Sequence, residues 1–362
     1  MAWLTFTAVM FLFVQSCTPN STSPTLPPTA TGPASTLYIF RVNPSALLEL
    51  SSDLKVLRTL PISIPAECTV SSINSSAYSV WVALELGCPV GQTVIWMNTQ
   101  TGTMKQAFTD SDSHFLAWSS DGGAAYLKVD SLVHPHIIRA RPDGSGKFVP
   151  ITEFTYDLAP RPGSVDFLFS FSRGMGQGSE MWLAKADGGE VGQVAADPKS
   201  YLSFARWSPD ARQIAFIKIP DSPIPYTIGE LWIMNSDGSD SHKLADADAG
   251  HGFAPAWSPD GKQLAYVVRE NPTDPVADQS SSALISNIYL VDVGGGGTRK
   301  LTTLDQSRVG APVWFPDGKK IAFSATRDDK MNMYFAISIS GAVQAVLSEP
   351  TCCAIWVESA SP

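Results

Sequence analysis

Phe204-Ala-Arg-Trp-Ser-Pro-Asp-Ala-Arg-Gln-Ile-Ala-Phe216 returns with small changes as Ala254-Pro-Ala-Trp-Ser-Pro-Asp-Gly-Lys-Gln-Leu-Ala-Tyr266 and as Ala311-Pro-Val-Trp-Phe-Pro-Asp-Gly-Lys-Lys-Ile-Ala-Phe323. Copies spaced by roughly 50 residues mark a repeat architecture built from one recurring supersecondary unit. A weaker copy is Leu116-Ala-Trp-Ser-Ser-Asp-Gly-Gly-Ala-Ala-Tyr126, and degenerate ones begin at Ala159 and Ser72. The residues suit a strand, a tight turn and a second strand: Pro presets its φ, Asp follows, and Gly tolerates positive φ. The Trp fills space before the turn. The Ile-Ala-Phe type run is apolar at consecutive positions, which suits a strand covered on both faces. Ala211 stands where the turn Gly is expected and Ser120 where the Pro is expected. Those two hairpins should therefore be less well determined.

Each copy is followed by a strand that ends in a Gly turn, as in Leu231-Trp-Ile-Met-Asn-Ser-Asp-Gly238 and Met181-Trp-Leu-Ala-Lys-Ala-Asp-Gly188, and then by a short last strand such as Val149-Pro-Ile-Thr152. Four hairpin-linked strands, A to D, form a propeller blade. Six complete units run from Glu67 to Ser348, and two complementary fragments remain. Residues 37–60 read as strands B, C and D, and Ala354-Ile-Trp-Val-Glu358 reads as the missing strand A. The fold class is all-β: a single propeller of seven four-stranded blades, closed where the C-terminal strand joins the N-terminal blade, with six or eight blades as alternatives. The blades are expected at 354–359 plus 37–60, 66–109, 114–152, 156–195, 201–245, 252–303 and 308–348.

These copies resemble the WD40-like Pro-Asp repeats of TolB-like propellers and of the propellers in prolyl-oligopeptidase-like peptidases, over nearly all of residues 37–359. The resemblance is specific for fold and poor for function, since this scaffold serves many roles. TolB-like proteins also carry an N-terminal α/β domain, which residues 18–36 cannot form.

The N-terminus reads as an export signal. Trp3 to Val14 is almost unbroken apolar sequence, too short to span a membrane as a helix. It leads into Val14-Gln15-Ser16-Cys17, which resembles a bacterial lipobox, although Gln15 is unusual there and no Lys or Arg precedes the apolar stretch. The division is then 1–16 signal peptide, 17–36 lipidated Cys17 with a Thr/Pro/Ser-rich tether, and 37–359 propeller. An acyl-anchored, exported protein at the periplasmic or outer face of a membrane follows. The tether, uncharged and rich in Thr, Pro and Ser, favours extended solvated chain.

With 25 Lys and Arg against 34 Asp and Glu, the net charge of -9 disfavours nucleic acid as a partner. After Cys17 four cysteines remain, an even number suited to disulfides outside the cytoplasm. Cys68 begins a strand A and Cys88 ends the antiparallel strand B, which makes them the expected pair; Cys352 and Cys353 leave the rest of the connectivity open.

No Gly-x-Ser-x-Gly elbow, Walker loop or cofactor motif is present, so neither catalytic residues nor a cofactor are expected. Some propeller lyases resemble this repeat type and hold a divalent metal on several His. Here His114 and His251 could face one end of the channel, but two His fall short of a three-ligand site, and no metal is assigned. The A to B and C to D turns share one end of the ring and are short. The B to C and D to A connections share the other, with the long insertions Arg173 to Ser179, Pro220 to Gly229 and Arg269 to Ser286. Binding residues are expected on that loop-bearing end: Asp110, Asp112, His114, Tyr201, Asp246, Asp248, His251, Asp305 and Arg308. The function expected is a monomeric module that binds a protein, peptide or glycan at the cell envelope. The alternative is a metal-assisted enzyme acting on polysaccharide.

Overall fold

The computed structural model describes residues 36–357, apart from 52–54, 76–78, 108–111, 131–134, 153, 249–252, 328–329, 338–339 and 346–350. They build seven four-stranded antiparallel sheets, the seven blades anticipated from the repeats. Blade 1 comprises β1 (Thr36–Arg41), β2 (Ala46–Leu50) and β3 (Val56–Pro61). Blade 2 is β4 (Thr69–Ser75), β5 (Trp81–Cys88), β6 (Gly91–Asn98) and β7 (Met104–Gln106). Blade 3 is β8 (Asp112–Trp118), β9 (Ala125–Asp130), β10 (His136–Ala140) and β11 (Gly146–Val149). Blade 4 is β12 (Thr155–Pro160), β13 (Phe167–Phe171), β14 (Ser179–Ala184) and β15 (Glu190–Asp197). Blade 5 is β16 (Ser200–Trp207), β17 (Gln213–Pro220), β18 (Ile228–Asn235) and β19 (His242–Asp248). Blade 6 is β20 (Ala256–Trp257), β21 (Gln263–Arg269), β22 (Ser286–Asp292) and β23 (Thr298–Lys300), and blade 7 is β24 (Arg308–Trp314), β25 (Lys320–Arg327), β26 (Lys330–Ile337) and β27 (Val343–Ala345).

The last strand, β28 (Thr351–Val357), pairs antiparallel with β1, so Leu37 faces Trp356 and Tyr38 faces Ile355. Strand A of blade 1 thus comes from the far end of the chain. The inner strands then touch in a closed circuit, β28 to β4, β8, β12, β16, β20, β24 and back to β28. Closure covers sheet edges that would otherwise stand open.

The core lies between blades. One cluster joins Tyr38, Phe40 and Leu47 of blade 1 to Ile73, Val82 and Leu84 of blade 2, and another joins Ala117 and Tyr126 of blade 3 to Leu158 and Phe169 of blade 4. This is why second strands read as continuous apolar runs: all five residues of β13 are buried, with no alternation. Inner strands differ. In the A to B pairings of blades 1, 2, 3, 4, 5 and 7 the register slips partway along. Such bulges bend and twist a strand, which lets it follow the channel wall.

The repeat turns are more uniform than their sequences. In blade 6, Ser258 N donates to Gln263 O and Gly261 N to Ser258 O, at 2.8 and 2.9 Å. The Ala211 turn makes the same two bonds through Ser208, at 2.9 Å each, and the Ser120 turn makes them through Ser119. The expectation of looser hairpins there is corrected. Ala211 simply takes the glycine-like conformation, φ 57° beside 70° at Gly261. The motif Ser and Asp also lock together: Ser258 Oγ donates to Asp260 Oδ1 at 2.7 Å and accepts from Gln263 N at 2.9 Å, and Ser208 and Asp210 do the same.

Candidate functional site

The motif Trp does more than fill space. Trp118 Nε1 donates to Asn74 O, Trp207 Nε1 to Ala159 O, Trp257 Nε1 to Arg206 O and Trp314 Nε1 to Ala256 O, each at 3.0 Å. Every acceptor sits near the end of the preceding blade's inner strand, so the indoles staple one blade to the next around the channel. Blade 4 has Pro160 in this place, and the guanidinium of the next residue, Arg161, lies 5.0 Å from the Trp207 ring.

Inside that circle of indoles the channel opens into a cavity of about 720 Å³ at the short-turn end. Its wall is mainly apolar, with Phe115, Trp207, Trp314 and Pro160 among the lining residues and Arg206 supplying a cation whose side chain is 45% exposed. Arg206 Nη1 lies 3.9 Å from Asp157, whose other oxygen accepts from Ala205 N at 2.8 Å. Burial pushes the Asp157 carboxyl above its ordinary range, opposed by Arg206 and by backbone amides of the β16 bulge. Local sequence marks the Trp and Pro of this wall; nothing local marks Arg206, which occupies the variable position before the motif Trp.

At the opposite, loop-bearing end, the expected binding residues fall into separate groups. Asp112 and His114 open β8, and Asp130 lies across from Asp112 on β9. His114 Nε2 is 3.9 Å from Asp112 Oδ1 and 3.7 Å from Asp130 Oδ2, while Nδ1 is 3.3 Å from Glu85 Oε1. Ser72 Oγ holds the second oxygen of Glu85 at 3.0 Å. One imidazole is therefore flanked by two carboxylates on one nitrogen and oriented by a third on the other, an arrangement that can present Nε2, Asp112 and Asp130 to a cation. Asp130 and Glu85 escaped the sequence reading. Hairpin register about the Ser119 turn could have found Asp130; Glu85 belongs to the neighbouring blade and carries no local signal.

Tyr201 stands apart, edge-on to Tyr156 at 6.2 Å and hydrogen-bonded to Asp221. Asp221 Oδ2 accepts from Gly176 N and Gly178 N at 2.7 and 2.9 Å, and these amides hold its carboxyl below the ordinary range. Asp246 pairs with Lys243 at 2.6 Å, and Asp248 is buried at the end of β19. Arg308 Nη1 donates to Ser281 O at 3.0 Å, and Asp305 O accepts from Ser307 Oγ. Asp110, His251 and Cys17 lie outside the described residues. None of the described members of the expected set lines the central cavity. Cys68 and Cys88 are joined, S–S 2.06 Å, across the β4–β5 hairpin.

No helix among the described residues is long and apolar enough to cross a membrane. No curated protein matches the chain in sequence. Among solved structures, a TolB of Agrobacterium tumefaciens is 19% identical with a TM-score of 0.50, covering 70% of this chain and 88% of that one. An oligogalacturonate lyase in complex with manganese is 13% identical with a TM-score of 0.56, covering 86% of this chain and 85% of that one. A puromycin-hydrolyzing peptidase of Mycobacterium tuberculosis is 13% identical with a TM-score of 0.61; 87% of this chain is covered but only 52% of the peptidase. Identities this low carry the fold alone. In sequence, residues 168–352 match the TolB beta propeller domain family. That span takes in the three strongest repeats, around Trp207, Trp257 and Trp314, and just over half of the residues, so the chain belongs to the TolB beta propeller domain family.

Proposed function

We propose that this propeller is an exported, membrane-tethered binding module that holds a segment of a protein partner in the central cavity at its short-turn end. The observation that carries this reading is the cavity itself, because an axial hollow walled by Trp, Phe and Pro with one exposed guanidinium suits apolar side chains beside an acidic group. The absence of a nucleophile elbow or phosphate loop supports binding over acyl or phosphoryl transfer. Lipidation at Cys17 and the tether would keep the module at a membrane face; substituting Cys17 by Ala should move the protein from the membrane to the soluble fraction. The loop-bearing set, with Asp246 as an accessible representative, is the competing docking face. Photo-crosslinking of partners in envelope preparations separates the two: Arg206→Glu should abolish the adducts and Asp246→Lys should leave them. The reverse outcome moves the site to the loops.

A metal-assisted reaction on polysaccharide is the second reading, favoured by one observation, the convergence of Asp112 and Asp130 on His114 Nε2. Equilibrium dialysis of the purified protein against Mn²⁺, Zn²⁺ and Ca²⁺ tests it. Stoichiometric uptake lost in His114→Ala supports this reading, and uptake of none of them removes its basis.

A further inference from the structure

The C to D hairpin of blade 3 gathers cations that the acidic composition does not lead one to expect. Arg139 on β10 lies directly opposite Lys147 on β11, and Arg141 follows on the same side of the hairpin. Like charges placed directly across a strand pair repel, so the pairing costs stability unless an anion lies between them. Lys105 of blade 2 adds a fourth cation, 5.8 Å from the Trp81 ring.

Two acids are near, and both are already engaged by their own turns. Asp121 accepts from Ser119 Oγ and Gly123 N, and Asp143 Oδ1 accepts from Ser145 N and Oγ at 2.7 and 2.6 Å. Arg139 reaches Asp121 only at 3.5 Å, and its Nε is buried without a hydrogen-bond partner. A buried, unpartnered guanidinium N–H is costly and is the kind of group a ligand satisfies.

The cations surround open space. A cleft of about 570 Å³ between blades 2 and 3 is lined by Trp81, Lys105, Arg141 and Asp143, and Arg141 also borders a smaller hollow of about 170 Å³ lined by Arg139 and Lys147. An inorganic anion needs neither that room nor an indole. A sugar ring can lie against Trp81 with its hydroxyls toward Ser79 and Asp143, while acidic substituents reach the guanidinium and ammonium groups.

We propose that the cleft between blades 2 and 3, together with the hollow that adjoins it at Arg141, binds an acidic saccharide, with Trp81 as the platform for a ring, Lys105 and Arg141 as receptors for its oxyanion groups in the cleft, and Arg139 and Lys147 as receptors in the hollow. This site lies on the outer part of two blades, apart from the axial cavity, and does not depend on what that cavity holds. The test is calorimetric titration of the full chain with an oligoglucuronate, with a phosphorylated oligosaccharide, with a neutral glucan of equal length and with hexaglutamate. At least one acidic saccharide should bind, tenfold or more tightly than the neutral glucan and than hexaglutamate. Which of the two acidic chains binds identifies carboxylate or phosphate as the recognised group. Arg141→Ala, at an exposed position where folding is safe, should weaken binding at least tenfold with an unchanged melting curve, and Trp81→Phe should weaken it less. Failure of both acidic saccharides to bind, equal binding of hexaglutamate, or unchanged affinity in Arg141→Ala overturns the proposal.

Discussion

At the end of the ring where strand A turns into strand B, hairpins from blades 3, 5, 6 and 7 make the same pair of backbone hydrogen bonds, whereas at the other end the B to C connections of blades 4, 5 and 6, spanning 172–178, 221–227 and 270–285, follow no common hydrogen-bond pattern. The uniform end is stapled between blades by indole N–H groups, so each turn supports its neighbour as well as its own hairpin. The variable end is held by individual devices. Arg269, with no exposed side-chain surface, donates to the carbonyls of Asn271, Tyr226 and Asp274 and pairs with Asp278 at 2.9 Å, thereby fixing the 270–285 connection onto its neighbour. The contrast teaches that repetition is kept where blades must fit one another, and that insertions are accepted where a loop can supply its own anchor.

Substitution at the uniform end should have the largest effect. Trp207 is 7% exposed, so Trp207→Ala removes a buried ring together with an interblade hydrogen bond. It should cost about 3–5 kcal/mol in chemical denaturation, followed as one cooperative transition. Next is Arg269→Met at the variable end, which keeps the apolar stem and deletes the donors; about 2–3 kcal/mol is expected. Here the change should be local, and limited proteolysis should cut within 270–285 before the ring melts. If cleavage and melting coincide, the two ends are not independent and the contrast fails. A gain of about 1 kcal/mol is expected from Ala211→Gly, read as a raised melting temperature, because a side chain at φ 57° bears a left-handed strain that Gly does not.

The smallest effect concerns acid. Donation from Ser119, Ser208 and Ser258 holds the Asp121, Asp210 and Asp260 carboxyls below the ordinary range. A depressed folded-state pKa contributes stability that is fully present above the unfolded value, about 3.9 for Asp, and is lost as pH falls through the folded value. The melting-temperature gap between the protein and Asp210→Asn should therefore close as pH is lowered below about 4. These carboxylates are largely solvent-exposed, so screening keeps each contribution small. A gap that persists in acid would assign the role of Asp210 to turn geometry alone.

Most of the ring was legible in the sequence because its signals are local. A turn that wants Pro, Asp and Gly in order announces itself within a few residues, and a strand covered on both faces announces itself as an apolar run. At Ala211 and Ser120 the local sequence alone does not decide the turn. Blade packing holds both to the common form: Arg161 of blade 4 reaches Ala211 O, and Ser120 Oγ donates to Ser164 O of the next turn. The candidate sites were less legible. His114 could be singled out, but Glu85 meets it from another blade, and the repulsive pairing of Arg139 with Lys147 is visible only once the register of β10 and β11 is known.

By itself, the sequence determined the repeating unit, the count of seven and the union of the two chain ends in one sheet, since each rests on turn chemistry and apolar runs that a few neighbouring residues decide. Only the tertiary structure decided that Asn74, Ala159, Arg206 and Ala256 offer carbonyls to indoles of the next blade, that a Trp-walled cavity lies on the axis, and that Trp81 and Lys105 share a cleft with Arg141. Those juxtapositions depend on how one twisted sheet is rotated against the next. That rotation is set by the packing of whole faces, so it brings together residues about 20 to 60 positions apart with no mark in the intervening chain.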